Sequence, residues 1–100
     1  MNARNKMRPV HPGEVLRTEY LEPLNMTAHA VAVRLRVTPS RINEIVNEER
    51  PITLDTAVRL ARFFNTSPEF WINLQQTYDL KTLPKPLLQE IQRDVQPYVA

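Results

Sequence analysis

The sequence predicts an all-α protein built from five or six short helices. Pro occurs nine times and Gly once in the 100 residues, and no Asn-Gly or Asp-Gly pair is present to indicate a β-hairpin. Polar and apolar residues nowhere alternate convincingly, as they do in half-buried strands. Apolar residues recur instead at helical spacing, in short segments that Pro, Thr, Ser and Asn separate.

Two helices are predicted in the first third of the chain. The first begins at His11-Pro12, because Pro at the first helical position loses no hydrogen bond that the helix needs, and it ends at Pro23. The second runs from Ala28 to Leu35 behind Thr27, a favourable N-cap. The side chains expected to point inward are Val15, Leu16, Tyr20 and Leu21 in the first helix and Ala28, Val31, Ala32 and Leu35 in the second.

Each of the next three helices begins at a hydroxyl side chain. Thr38 caps the third helix and is followed by Pro39, Thr53 caps the fourth, and Ser67-Pro68 opens the fifth. The side chains expected in the core are Ile42, Ile45 and Val46 of the third helix, Ala57, Leu60, Ala61 and Phe64 of the fourth, and Phe70, Trp71, Leu74 and Tyr78 of the fifth.

The length suits one domain with short appendages. We expect the helical domain over residues 10–78, and a C-terminal extension over residues 79–100 that is helical at 86–95. Residues 1–9 are predicted to form a basic arm, whose cations, with no acid among them, are Arg4, Lys6 and Arg8.

Several classes of protein are disfavoured by composition. The absence of Cys excludes a disulfide scaffold, a thiolate zinc site and a cysteine nucleophile. His11 and His29 have no cluster of acids around them, so we expect no metal and no cofactor, and no Ser, His and acid set supports an enzyme. No apolar run approaches the roughly 18 residues that span a bilayer, and we expect no secretory signal. We therefore expect a cytoplasmic protein without a membrane partner.

Function is indicated by the second and third helices. Residues 27–35 and 38–47 are joined by so short a link that the two helices must cross steeply, as in a helix-turn-helix. In that motif the first turns of the second helix enter the major groove of DNA. Ala32 is small enough for close approach at the crossing, while Val37 and Ile42 are expected to fill the angle between the helices.

The third helix carries a polar face opposite its apolar stripe. Arg41 on this face is the best candidate for a bidentate contact to guanine, and Glu44 can accept from cytosine or orient Arg41. Thr27 and Thr38 place free N–H groups at helix N-termini, where phosphates bind. Any solvated helix is also polar on its outer side, so the functional interpretation depends on the tight link, the small residue and the cap together. The polar residues are Ser40, Glu44 and Asn47, with Arg41 and Asn43 on the flanks.

Four segments of the sequence carry a further pattern. They are His-Pro-Gly-Glu at 11–14, Leu-Arg-Val-Thr-Pro-Ser-Arg-Ile-Asn-Glu-Ile at 35–45, Ile-Thr-Leu-Asp-Thr-Ala-Val-Arg-Leu-Ala-Arg at 52–62, and Ser-Pro-Glu-Phe-Trp-Ile-Asn-Leu-Gln at 67–75 with Tyr-Asp-Leu at 78–80. Together they resemble the HigA family of antitoxins, also called VapI-like or virulence-associated protein I. That family belongs to the Cro/C1-type (XRE) helix-turn-helix superfamily.

The resemblance implies a five-helix, lambda-repressor-like domain plus a short C-terminal helix. It also implies a bacterial homodimer that binds double-stranded operator DNA, represses its own operon and neutralises a HigB-like toxin, typically an mRNA endonuclease. The protein itself would not be an enzyme. The residues that the resemblance places at the DNA are Thr38, Pro39, Ser40 and Arg41, with Asn43 and Glu44 behind them.

Two positions depart from the family pattern. Arg36 and Glu48-Glu49 stand where the family usually has Gly and Gly-Lys or Gly-Arg. Since a left-handed conformation costs a non-Gly residue roughly 1 kcal/mol or more, we expect these two loops to take other conformations. The two acids are also expected to repel phosphates, which leaves Arg50 as the anchor there and weakens binding to DNA.

Two alternatives stay open at this point: a stand-alone transcriptional repressor, and a protein-interaction module that has lost DNA binding. The salt dependence of operator binding separates the module from the other two. A toxin gene beside this one would separate the antitoxin from the repressor.

Overall fold

The computed structural model describes residues 8–99, and all regular elements of that part are helices. The first helix, α1, is continuous and consists of an α-helical turn Pro12–Val15, a π-helical segment Leu16–Leu21 and a last turn Glu22–Leu24. It is followed by α2 (Ala28–Leu35), α3 (Pro39–Val46), α4 (Leu54–Phe64), α5 (Pro68–Lys81) and α6 (Lys85–Asp94). The predicted all-α class is confirmed.

The first helix begins as predicted and ends later than predicted. The ring nitrogen Nδ1 of His11 accepts a hydrogen bond from the N–H of Gly13 at 2.8 Å, so His11 is the N-cap. Pro23 does not end the helix, which continues to a left-handed Asn25 at φ 55°. A proline inside a regular α-helix meets the carbonyl group four residues earlier, and the wider π-helical turns just before Pro23 provide room for its ring.

All four of the predicted hydroxyl N-caps are present. The hydroxyl oxygens of Thr27, Thr38, Thr53 and Ser67 each accept a hydrogen bond from the backbone N–H three residues later, at 3.0 to 3.4 Å. A capping hydroxyl satisfies one of the backbone donors that a helix start leaves open. These short-range contacts define where α2, α3, α4 and α5 begin.

The core contains most of the predicted side chains, with one correction. Phe70 was expected inside but is 38% exposed, because the neighbouring Trp71 is fully buried and takes the interior side of α5. The Phe70 ring lies edge-on against Trp71 at a centroid distance of 5.0 Å. The buried apolar residues are Leu16, Leu21, Val31, Ala32, Leu35, Ile42, Ile45, Val46, Ile52, Ala57, Leu60, Ala61 and Trp71.

A buried amide joins the loop before α4 to α5. The Gln75 side-chain oxygen accepts a hydrogen bond from the N–H of Ile52 at 2.7 Å, and its nitrogen donates to Asp79 at 2.9 Å. Because buried polar groups are stable only when they are hydrogen-bonded, Gln75 holds this loop in one position. The loop leads directly to Thr53, the start of α4.

The last helix projects from the domain. The fifth helix runs to Lys81, three residues beyond the predicted boundary at 78, and α6 at Lys85–Asp94 replaces the predicted 86–95. None of the residues of α6 is buried, and the described chain measures 53 × 30 × 23 Å. The radius of gyration of the described chain is 16.4 Å, above the roughly 13 Å of a compact 100-residue domain, because α6 projects from it. The side chains left exposed here include Leu80, Leu83, Leu87, Leu88 and Ile91.

Candidate nucleic-acid interface

The second and third helices form the predicted helix-turn-helix. Ala32 and Ile42 are fully buried, and Val37, in the link between the helices, packs against the core. This burial agrees with the predicted close packing of the two helices, with Ala32 at the crossing and Val37 and Ile42 in the angle between them. The start of α3 stays at the surface, where Thr38 and Ser40 are exposed and their hydroxyls lie 3.3 Å apart.

The two expected loop rearrangements are wrong. Arg36 and Glu48 both adopt the left-handed conformation, with φ at 63° and 64°. Each conformation is supported by the preceding helix: the N–H of Val37 donates to Ala32, and the N–H of Glu49 donates to Glu44. These hydrogen bonds close the helix C-termini and offset the strain of a non-glycine residue.

Arg41 points towards α4 and contacts its first turn. Its Nη1 donates to the Asp55 carboxylate at 2.6 Å and lies 3.4 Å from the hydroxyl of Thr56. Asp55 also accepts from Nε of Arg59 at 3.0 Å, and Nη1 of Arg59 donates to the Leu35 carbonyl at 2.8 Å. The hydrogen bond from the Arg41 guanidinium, followed by that from Arg59, lowers the pKa of Asp55.

Sequence reasoning missed both Asp55 and Arg59 as partners of this site. Their spacing of four residues on one helix does predict an ion pair between them. No local pattern predicts the contact from Asp55 to Arg41, which lies 14 residues earlier on another helix.

Glu44 does not orient Arg41, in contrast to one of its two expected roles. Its carboxylate instead accepts from Arg50 at 2.8 Å. Glu44 and Arg50 are both half-buried, so the expected phosphate anchor and the expected base contact neutralise each other in the free protein. The expected contact residues Asn43 and Asn47 are exposed, while Pro39 is half-buried at the first position of α3.

Glu48 is turned towards α1. Its carboxylate pairs with Arg17 at 3.3 Å, and Arg17 also donates to the Val46 carbonyl at the end of α3. One of the two acids that were expected to repel phosphates is therefore already balanced by a cation. Glu49 is exposed.

The expected basic arm is described only at its end. Arg4 and Lys6 lie outside the described residues. Arg8 forms a two-point ion pair with Glu14, through Nη1 at 2.9 Å and Nη2 at 2.7 Å. Arg8 is thus tied to the first turn of α1 and is not a free cation.

His11 is a structural residue at the start of α1. It is buried, its ring meets Tyr78 edge-on at a centroid distance of 4.9 Å, and burial lowers its pKa. Within residues 8–99, no group of three or more potential ligands is placed to hold a metal ion. In the same part of the chain, no helix has the length and apolar character needed to cross a bilayer.

The chain is similar to known helix-turn-helix proteins, in sequence and in structure. Residues 18–71 match the helix-turn-helix family HTH_3. The chain is 56% identical to virulence-associated protein I of Dichelobacter nodosus over 78 residues. This aligned region covers 78% of this chain and 72% of that protein. It is 45% identical over 73 residues to an uncharacterized HTH-type transcriptional regulator of Haemophilus influenzae, which covers 73% and 68%. The structure of Pseudomonas aeruginosa antitoxin HigA with the higBA promoter matches with a TM-score of 0.85 and 41% identity, over 92% of this chain and 100% of that chain.

Proposed function

Since the chain belongs to the helix-turn-helix family HTH_3, with virulence-associated protein I and the HigA antitoxins, we propose that it is a DNA-binding antitoxin. In this role it binds double-stranded operator DNA, represses its own operon and neutralises a HigB-like mRNA endonuclease. It acts by binding, without catalysis, in the bacterial cytoplasm where that DNA lies.

One observation carries this proposal: the first turn of α3 is presented at the surface next to the first turn of α4. The 2.6 Å contact between Arg41 and Asp55 joins these two turns. A helix N-terminus offers free N–H groups and a partial positive charge to phosphates. Polar side chains on the same turn can then reach base edges in the major groove.

Each predicted contact residue has a role in this proposal. Thr27 and Thr38 anchor phosphates through their helix N-termini, and Arg50 does so through its charge. Pro39 fixes the first turn of α3, and Arg41 reads guanine. The remaining side chains that face the groove are Ser40, Asn43, Glu44 and Asn47.

A homodimer is part of the proposal. One helix-turn-helix buries too little surface to be specific alone, and two copies would read half-sites about 34 Å apart. The seam we propose is the end of α5 with the start of α6, since Leu80, Leu87 and Leu88 are 79%, 41% and 42% exposed in the single chain. Exposed apolar side chains that lie together mark contact surfaces.

The experiment that tests DNA binding uses a duplex from upstream of the protein's own gene. Binding is measured at several salt concentrations, and the logarithm of the association constant should fall linearly with the logarithm of salt. A matched duplex of scrambled sequence should bind more weakly. An association constant that does not change with salt would mean that the protein makes no ionic contacts to phosphates, and would favour a pure protein-interaction module.

The toxin is tested by co-purification. The tagged protein is isolated from its native host, and the bound protein is identified by mass spectrometry. Recovery of a small protein encoded beside this gene, and relief of its RNase activity by the antitoxin, are the expected results.

A stand-alone repressor is the second candidate. The 45% identical relative from Haemophilus influenzae is described only as a transcriptional regulator, which favours this alternative. The two candidates make the same prediction for DNA and opposite predictions for the co-purified toxin. Absence of a toxin gene beside this one, together with operator binding, would support the repressor.

A further inference from the structure

From the contacts around Arg41 we propose that Asp55 is a positioning residue, which holds the Arg41 guanidinium in the orientation that reads a base. This inference rests on the proposed function, since it assigns a specificity role within the same DNA site. Asp55 is not itself among the expected contact residues. It acts through Arg41.

Asp55 is fixed from two sides. Its Oδ2 atom accepts from Arg41 on α3 at 2.6 Å and from Arg59 on α4 at 3.0 Å. Arg59 in turn donates to the carbonyl of Leu35, the last residue of α2, at 2.8 Å. The carboxylate is therefore held in place relative to both helices of the helix-turn-helix. An arginine side chain that is free in solution has many rotamers, and this arrangement selects one of them.

The pair leaves one edge of the Arg41 guanidinium available. Its contacts to Asp55 and Thr56 are both made through Nη1. No residue in the described range 8–99 accepts a hydrogen bond from Nε or Nη2 of Arg41. The Nε–Nη2 edge has two parallel donors, which is the geometry that matches O6 and N7 of guanine. Asp55 therefore holds the guanidinium by one nitrogen and leaves the base-reading edge free.

The charges around Asp55 indicate that it positions Arg41 for DNA and does not withhold Arg41 from DNA. Arg41, Arg50, Asp55 and Arg59 line one open depression of about 420 Å³ between α3 and α4. Asp55 pairs with Arg41 and Arg59 and Glu44 pairs with Arg50, so three cations face two acids and the local charge stays positive. Arg41 and Arg59 lower the pKa of the Asp55 carboxyl, and an Asp with its ordinary pKa is already ionised at neutral pH, so the pair keeps its opposite charges there. The site can thus accept a nucleic acid while the pair remains intact.

The test compares Asp55→Asn with the unchanged protein on two duplexes. The first is a duplex of three helical turns, roughly 30 base pairs, which the full-length protein enriches from a random pool, and the second has the same composition in scrambled order. For Asp55→Asn we expect roughly tenfold weaker binding to the enriched duplex, the range of one base contact. Binding to the scrambled duplex should stay the same or tighten by up to about twofold, because removing an acid does not weaken phosphate contacts.

Three further variants make the result specific. Glu69→Gln removes an acid from the first turn of α5 and should leave both affinities unchanged. In the Arg41→Ala background, Asp55→Asn should cause no further loss, since its effect passes through Arg41. Arg59→Gln should lower specificity in the same direction, which keeps the inference testable if Asp55→Asn is poorly folded.

Two outcomes would overturn the inference. Equal tightening on both duplexes would mean that Asp55 only repels phosphates, and an undiminished loss in the Arg41→Ala background would mean that Asp55 acts without Arg41. Failure of the unchanged protein to enrich any duplex would instead reject the proposed function, and the inference with it.

Discussion

The carbonyl oxygen of Ile45, near the end of α3, lies where a Cβ atom on Gly13 would have to be. The backbone of the first turn of α1 therefore contacts the backbone of α3, the second helix of the helix-turn-helix. No side chain fits between them, because the obstacle is a carbonyl group that cannot rotate away.

Gly13→Ala is predicted to lower the free energy of unfolding by at least about 2 kcal/mol, since the added methyl group must push α1 and α3 apart. Urea denaturation followed by circular dichroism measures this loss. Ala30→Gly, on the partly exposed side of α2, serves as a control with an expected cost of about 1 kcal/mol. A Gly13→Ala protein as stable as the parent would mean that the two helices are not in contact.

Arg36→Gly is predicted to stabilise the fold by about 0.5–1 kcal/mol, because Arg36 has φ 63° and glycine adopts this conformation without strain. The matched control is Arg34→Gly, two residues earlier within α2, which should destabilise by at least about 1 kcal/mol, because it also loses the contact of Arg34 with the Phe63 ring. Both are measured by chemical denaturation. If Arg36→Gly were less stable than the parent protein, the arginine side chain must contribute a contact that outweighs the strain.

Arg41→Ala is predicted to cost about 1–3 kcal/mol on operator DNA and to relax the preference at one base pair in each half-site. Fluorescence anisotropy with the operator and a set of single-base variants measures both effects. Arg93→Ala on α6 removes the same charge away from α3 and should leave the preference intact. Equal weakening on operator and random DNA would reassign Arg41 to phosphate binding.

The double variant Leu87→Ser, Leu88→Ser is predicted to convert the proposed dimer into a monomer. The two leucines are exposed in the single chain, and their burial at the seam is what we expect to hold the copies together. Light scattering at micromolar concentration measures the mass. Leu54→Ser, which removes a 66% exposed leucine from α4, should remain dimeric, and a monomeric Leu54→Ser would move the seam to that helix.

The stability of the protein is predicted to fall as pH is lowered below about 6.5, because burial lowers the pKa of His11 in the folded state. Between the two pKa values the unfolded chain binds a proton that the native protein does not, so the free energy of unfolding rises with pH. Urea denaturation at about pH 7.5 and about pH 5.5 measures the difference.

The variant His11→Asn isolates this effect, since Asn keeps a capping oxygen for the N–H of Gly13 and does not titrate. It should lose most of the pH dependence over this interval. His29→Asn, at an exposed position of α2, should retain it. An unchanged slope in His11→Asn would assign the dependence to another group.

The local parts of this structure were predictable and the distant ones were not. Thr27, Thr38 and Thr53 cap their helices through atoms three residues away, so the sequence around each is enough to predict the cap. Arg41 had two possible acidic partners, Glu44 on its own helix and Asp55 14 residues later in the sequence. The structure pairs it with Asp55. Only the packing of α3 against α4 decides between them.

The backbone conformations at Pro23 and Arg36 were only partly predictable from the sequence. Pro23 is an ordinary helix terminator by its chemistry, and only the π-helical segment before it explains why the helix continues. Arg36 was expected to avoid the left-handed region, yet the hydrogen bond from the N–H of Val37 to Ala32 maintains it there. In both cases the surrounding backbone structure outweighs the preference of one residue.

Trp71 is the only tryptophan in the sequence, and its indole is fully buried beside Tyr20, with its N–H donated to Thr66 at 2.9 Å. Loss of packing between α1 and α5 would expose this ring to water and shift its emission to longer wavelength. Because nucleic acid bases scarcely fluoresce, that emission stays readable when DNA is bound. The molecule thus carries its own optical probe, with which the unfolding of the free and the operator-bound protein can be compared without any added label.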